Sequence, residues 1–418
     1  MLKFFLSILF FEFLFCTDNL KQARVSEYIS TKTIDYISNL KKNGDSKEFL
    51  YDRQTIAYLE RAKARFILNK LDESLNDFNI VINRSSNLYE AFFYRGQIYF
   101  LQESYEKSID DFNYVIQNES FLPEVVGFKI QSQFHISRND SIMVDINSFI
   151  NYVESNHPFL GKIYFFKGAI LYEKRDYFRS LEYLNYAIKK SPELWEAYML
   201  RGNIFRLQGD LDKALIDLNI AVESDLCPRE VFLYRGLTHS TYKNFSESID
   251  DITKFLILTP GYHQKKPEAI LQRALSRYYN GDFNESINDL NEVLKRYPDH
   301  WLSYRLLGLV YLKKKNYKLA LYNFNTAIEY GDNDIDIFLH RGISHINLFN
   351  YQNAKKDLSI FIDNTNNSHP NHSTALNKRG LAFFFMKEID EACSDWTNSF
   401  IFKSDTETDN YIKRHCLN

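Results

Sequence analysis

Residues 197–222 read AYMLRGNIFRLQGDLDKALIDLNIAV. An arginine–glycine pair, Arg201-Gly202, stands in the first half, and Asp217-Leu218 in the second. A polar break at Gly209-Asp210 separates the halves. Apolar residues within each half recur at intervals of three and four, which is helix periodicity and not strand alternation. The stretch predicts a helix, a short turn and a second helix.

The arrangement returns along the chain. Basic–small pairs stand at Arg61-Ala62, Arg95-Gly96, Lys167-Gly168, Arg201-Gly202, Arg235-Gly236, Arg273-Ala274, Arg341-Gly342 and Arg379-Gly380. Lys129-Ile130 and Leu307-Gly308 fill the gaps. The steps between these ten sites are 34, 34 and 38 residues, three times over. A fixed period of this length marks a solenoid of stacked units. An aromatic or branched residue precedes the small residue by four positions, as at Tyr58, Phe92, Tyr198 and Tyr304. Another small residue follows it by twelve, as at Ser74, Ser108, Ala214 and Ala320. Glycine inside a helix costs about 1 kcal/mol against alanine, so it needs a packing reason. Close approach of the paired helix supplies one.

The pattern resembles the tetratricopeptide repeat family. Residues 197–222 carry the match, as does FFYRGQIYFLQESYEKSIDDFNYVI at 92–116. Pro192, Pro260 and Pro298 stand where that family often closes its second helix. The resemblance covers residues 52–402 and implies an all-α, right-handed superhelical solenoid of about ten helix-turn-helix repeats. The third repeat, near 121–154, departs most, with Gly127, Ile130 and Ile142 at key positions, and a distortion is expected there.

Three steps sum to 106 residues, so a three-repeat block is the duplicated unit. Its long members share a bulky Phe in the second helix, at Phe149, Phe255 and Phe361. The extra residues fall in connections holding His157-Pro158, Pro260-Gly261-Tyr262-His263 and His369-Pro370-Asn371-His372. Proline and glycine there predict lengthened loops. Such insertions map to one face of a solenoid, often the binding face.

An aspartate follows the basic residue by sixteen positions in eight of the ten repeats. The arginine pairs are Arg61 with Asp77, Arg95 with Asp111, Arg201 with Asp217, Arg235 with Asp251, Arg273 with Asp289, Arg341 with Asp357 and Arg379 with Asp395. The repeat that lost the base, at Leu307, also lost the acid, at Asn323; the fourth repeat has Lys167 but Tyr183. Joint loss predicts structural ion pairs that set helix register. The other reading is an arginine ladder that grips an acidic ligand.

With 51 basic and 54 acidic residues, the chain lacks the charge of a nucleic-acid binder. It begins MLKFFLSILFFEFLFC, where Lys3 precedes an apolar run from Phe4 to Phe15, interrupted by Glu12. That run is too short to span a bilayer and fits the core of a signal peptide over residues 1–16. Cys16 follows directly and resembles the lipidated cysteine of bacterial lipoproteins. Three readings stay open: lipidation at Cys16, simple export, or an uncleaved helix capping the array. Beyond Cys16 only Cys227, Cys393 and Cys416 remain, an odd and sparse set from which no disulfide framework is expected. Residues 17–51 read as a helical cap, with a helix over Leu20–Leu40 and a stop at Asn43-Gly44; residues 403–418 read as a polar, charged tail.

No phosphate-binding glycine loop, nucleophile elbow, zinc helix or paired Cys-x-x-Cys is present. His369 and His372 lack acidic or cysteine partners for a metal. His239 and His345 hold equivalent first-helix positions and read as packing residues. No catalytic residue, cofactor or metal is therefore expected. The resemblance implies that first-helix residues line a concave groove for extended peptides or partner helices. The positions three before and four after the small residue are its candidates: Phe93 and Phe100, Phe165 and Tyr172, Met199 and Arg206, Leu271 and Tyr278. Relatives that clamp chaperone C-terminal tails use Lys and Asn at matched sites, where this chain has Leu59 and Lys63, Phe93 and Gln97, and Met199 and Asn203. That clamp is absent. The expected function is a non-enzymatic scaffold for a protein or peptide partner, exported to the cell envelope, with membrane attachment only through a lipid on Cys16. The alternative is a cytoplasmic adaptor with an uncleaved capping helix.

Overall fold

The computed structural model describes residues 17–42, 47–118, 122–136, 140–224, 227–402 and 406–416. The apolar run, Cys16 and Asn43-Gly44 lie outside them. Among the described residues there are 22 helices and no strand. Successive helices pack as antiparallel-neighbour pairs, so the chain is an all-α repeat solenoid. It divides into two compact units at Val231/Phe232, inside the first helix of the sixth repeat.

The helix pair follows from the repeat positions. In the fifth repeat the helices are Trp195–Gln208 and Leu211–Val222. A Cβ on Gly202 would come within 2.9 Å of Leu218 Cγ and 3.2 Å of the Ala214 carbonyl oxygen, so the glycine lets the second helix in. The large residue that fills this contact is fully buried in both units, as at Phe78, Phe112 and Leu218 and at Leu290, Leu358 and Trp396. Each such side chain contributes roughly 1.5–3 kcal/mol. The serines twelve positions on do more than stay small. Ser74, Ser108, Ser180 and Ser286 each donate to the carbonyl of the small residue, at 2.7–2.8 Å.

In the nine described turns between paired helices the conformation is the same. The turn residue lies seven after the small residue and adopts positive φ, at Asn69, Glu103, Arg175, Lys243, Lys315, Phe349 and Lys387 as well as at Gly209 and Gly281. In repeats four, five and eight the next residue, Asp176, Asp210 or Asn316, caps the second helix. Asp176 accepts from the Arg179 backbone N–H, and Asn316 from that of Leu319. This satisfies donors that a helix start leaves open.

The first unit opens with the helix Thr17–Lys42, packed on the helix Lys47–Ile67. Arg65 and Lys70 of the first repeat both reach Glu27. The third repeat keeps its helix pair, Pro123–Ile136 and Asp140–Tyr152. Ile130 and Ile142 replace the small residues and are fully buried, and Lys129 meets Asp145 at 3.0 Å.

Two expectations change in the second unit. Cys393 and Cys416 form a disulfide, with Cα atoms 5.6 Å apart. The cysteine count and the spacing along the array gave no hint of it, because the end of the chain folds back. Residues Thr406–His415, inside the segment read as a polar tail, form a helix. Tyr411 stacks on the buried Trp396 at 4.9 Å, and Asn377 hydrogen-bonds the buried Thr408. A charged sequence covers the last apolar surface because only a few of its residues face inward.

The long connections also have a defined interior. The rings of His157, His263 and His369 meet Phe149, Phe255 and Phe361 edge to face, with centroids 5.2, 5.8 and 5.1 Å apart. Each Nδ1 accepts a backbone N–H two residues on, at 3.2–3.3 Å. The bulky Phe and the loop histidine of each 106-residue block are thus two halves of one packing unit.

Candidate functional site

The ladder is built from bidentate ion pairs. Arg201 Nε and Nη2 donate to the two oxygens of Asp217 at 2.7 and 2.8 Å. The same fork joins Arg61 to Asp77, Arg95 to Asp111, Arg235 to Asp251, Arg273 to Asp289, Arg341 to Asp357 and Arg379 to Asp395, with every bond between 2.6 and 3.0 Å. The carboxylates are buried and the guanidinium groups largely so. The hydrogen bond to Asp77 raises Arg61 above its ordinary pKa, so the guanidinium stays charged. Arg65 adds a second cation on Asp77, and Arg277 does so on Asp289.

Each arginine also has partners that sequence reasoning did not name. In five of the arginines the third nitrogen donates to a residue on the second helix of the preceding repeat. Arg95 Nη1 reaches Asn79, Arg201 reaches Asn185 and Arg341 reaches Asn325, at 2.7–3.0 Å. After a long connection the acceptor is a hydroxyl, Thr253 for Arg273 and Ser359 for Arg379. The guanidinium lies against the aromatic ring four before the small residue. Arg61 is 5.1 Å from the Tyr58 centroid, Arg201 5.5 Å from Tyr198 and Arg341 5.3 Å from Phe338. Each of these five cations thus joins three helices of two successive repeats. The signal was present in the sequence as Asn directly after the buried large residue, in Asp77-Phe78-Asn79 and Tyr183-Leu184-Asn185.

The candidate groove residues fall into two classes. Phe100 and Phe165 are buried, Phe165 inside the core of the first unit, so neither offers surface to a partner. Their rings lean on Phe128 and His135, and on Phe134 and Phe166. Phe93, Tyr172, Met199, Arg206, Leu271 and Tyr278 are half-buried. In the first unit Arg206 Nε donates to Asn203 Oδ1 at 2.9 Å, and the Asn203 amide donates to the Tyr172 hydroxyl. This ties first helices of two neighbouring repeats. On the same helices burial pushes the Lys162 ammonium down to about 8, against the pull of Glu196. In the second unit Leu271 and Tyr278 pack beside Ala274 and Leu306.

Burial pushes His239, His345 and His372 below their ordinary pKa. His372 meets the Thr365 hydroxyl at 2.9 Å. Among the described residues no group of three His, Cys, Asp or Glu side chains could hold a metal ion, and no helix is long and apolar enough to cross a membrane.

A tetratricopeptide repeat family model matches residues 167–229 and 271–334, in register with the ladder and its small residues. The chain carries tetratricopeptide repeats. Similar solved structures include a tetratricopeptide repeat protein from Parabacteroides merdae, 18% identical, covering 62% of this chain and 99% of that one, with a TM-score of 0.43. Another is PilW, described as a widely conserved type IV pilus biogenesis factor, 19% identical over 52% of this chain and 98% of its own, TM-score 0.44. Yeast Tom70 is 12% identical over 92% of this chain and 94% of its own, TM-score 0.36. No curated protein matches the sequence. Tetratricopeptide repeat proteins bind protein partners, and the fold is that of a protein–protein interaction scaffold.

Proposed function

We propose that this repeat protein is an exported scaffold that binds an apolar or aromatic-bearing segment of a partner along its first-helix face. The observation that carries the binding reading is the half-buried line of Phe93, Tyr172, Met199 and Arg206 in the first unit. It has a polar anchor, since the buried Asn203 fixes both Tyr172 and Arg206. Fixed aromatic surface with a few placed polar groups suits peptide recognition, because little side-chain freedom is lost on binding. Leu271 and Tyr278 offer a second such surface within the other unit. A photo-crosslinker at Phe93 or Tyr172 should capture one partner, and Arg206→Ala should weaken that capture. Equal capture from an exposed second-helix site away from both surfaces, such as Ile216, would remove the proposal.

Export is supported by the apolar run before Cys16 and by the Cys393–Cys416 disulfide. Disulfides persist mainly in oxidising compartments. Attachment to the membrane follows if Cys16 carries lipid. Labelled palmitate should enter the protein, and Cys16→Ala should abolish the label. A protein found in the cytoplasm with Met1 intact and both C-terminal thiols reduced would instead establish the adaptor reading.

A further inference from the structure

The eighth repeat contains an arginine socket without its arginine. Four features define the socket elsewhere: a ring or branched side chain four before the small residue, an acid sixteen after the base, an Asn or hydroxyl residue on the preceding second helix, and the residue three after the small one. At the fifth repeat these are Tyr198, Asp217, Asn185 and Phe205, all around Arg201. At the eighth they are Tyr304, Asn323, Asn291 and Tyr311. The base itself is Leu307, which is buried in the core of the second unit.

All four of these residues line one surface hollow of about 910 Å³, with Leu307 at its back and Tyr322 at its rim. The hollow lies where the other repeats hold a guanidinium. Its polar groups are acceptors in the right places. Asn323 donates its amide to the Leu319 carbonyl at 2.7 Å, which leaves Oδ1 to accept. Asn291 makes no side-chain hydrogen bond among the described residues. The charged groups on the wall, Glu292 and Lys295, offset one another. No arginine of this chain fills the space. Arg305, two residues before Leu307, turns to Asp332 and Asp334 and stacks on Trp301 at 5.2 Å.

We propose that this socket takes an arginine side chain from a partner protein, held between the Tyr304 and Tyr311 rings and the amide oxygens of Asn291 and Asn323. Geometry selects guanidinium over ammonium. A planar, weakly hydrated cation with five donors fits between aromatic faces and separated acceptors, whereas a compact, strongly hydrated point charge gains less. The replacement of Asp by Asn at 323 fits an intermittent guest. A buried carboxylate would be stranded each time the cation left, and a neutral amide is not. The site joins the first helix of repeat eight to two second helices within one unit and uses none of the groove candidates, so it stands whether or not those bind a peptide.

The test is calorimetric titration of the full chain with N-acetyl-L-arginine amide, with N-acetyl-L-lysine amide as the competitor chemistry. Binding in the millimolar range is expected, with a preference of about tenfold for the arginine compound. The double variant Leu307→Arg/Asn323→Asp rebuilds the ladder, fills the socket from within and should abolish binding while raising the melting temperature. Tyr322→Ala alters only an exposed rim residue, so it keeps the fold, and it should weaken binding several-fold. The proposal is overturned if the wild type does not bind, if arginine and lysine compounds bind equally, or if binding survives in both variants. Arg206→Ala leaves this titration unchanged, which separates failure here from failure of the first-helix reading.

Discussion

Repeats four and eight have both lost the aspartate of the ladder, and the two losses end differently. In repeat four, Lys167 Nζ lies 4.1 Å from the centroid of Tyr183, the residue in place of the acid, and 2.7 Å from Asn147 Oδ1. The cation is kept and its counter-ion is replaced by a ring face. In repeat eight the cation itself is gone, and the surrounding ring and amides frame an open hollow. The loss of a partner is absorbed when one side chain reaches across three helices. It leaves a cavity when none does. The sequence marks both as broken rungs; only the packing tells a repaired one from a vacant one.

The comparison breaks most readily at an intact rung. Arg201→Ala leaves Asp217 buried without its fork, and should cost about 3–5 kcal/mol. Chemical denaturation of the single and double variants with Asp217→Ala checks this, with amide exchange to place the loss in repeats four to six. Additive single effects would mean that the fork sets no register, and that repeat eight lost nothing by giving it up.

Lys167→Met sharpens the repaired rung. It keeps the stem and removes the charge over Tyr183, so a loss of roughly 0.5–2 kcal/mol is expected. No change would place repeat four with repeat eight rather than with the intact repeats. The smallest effect concerns a feature the two share. Arg175 and Lys315 sit in the turn at φ 61 and 56, where repeat five has Gly209 at φ 82. Relief of left-handed strain outweighs the extra freedom of glycine in the unfolded chain, so Arg175→Gly and Lys315→Gly should each stabilise by about 0.5–1 kcal/mol. Both residues are exposed, and the two gains should be equal in thermal melts, because the turn does not sense the broken rung. Unequal gains would show that it does.

Much of the site was legible because it repeats. Gly202 reads as a close approach, and the structure places Leu218 against it. The spacing of Arg201 and Asp217 puts them on facing helix sides, and they meet. The Asn of the preceding repeat was legible too, but only once the third guanidinium nitrogen needed an acceptor. The groove candidates were less so: the rule that selected Phe93 also selected Phe100 and Phe165, and those two close the core instead. A helix face spans both core and surface, and position along a repeat does not fix how far a neighbouring helix covers it.

The sequence by itself determined the helix pairs, their period, the small residues at the contact and the partners within a repeat. All of these depend on spacing along one or two helices, which the chain encodes directly. The tertiary structure alone decided what passes between elements: the acceptor for each third guanidinium nitrogen, the histidine against each bulky Phe, the Cys393–Cys416 bond and the hollow beside Leu307. Those depend on how closely separate helices approach. That distance is set by the summed packing of many side chains, and no local pattern records it.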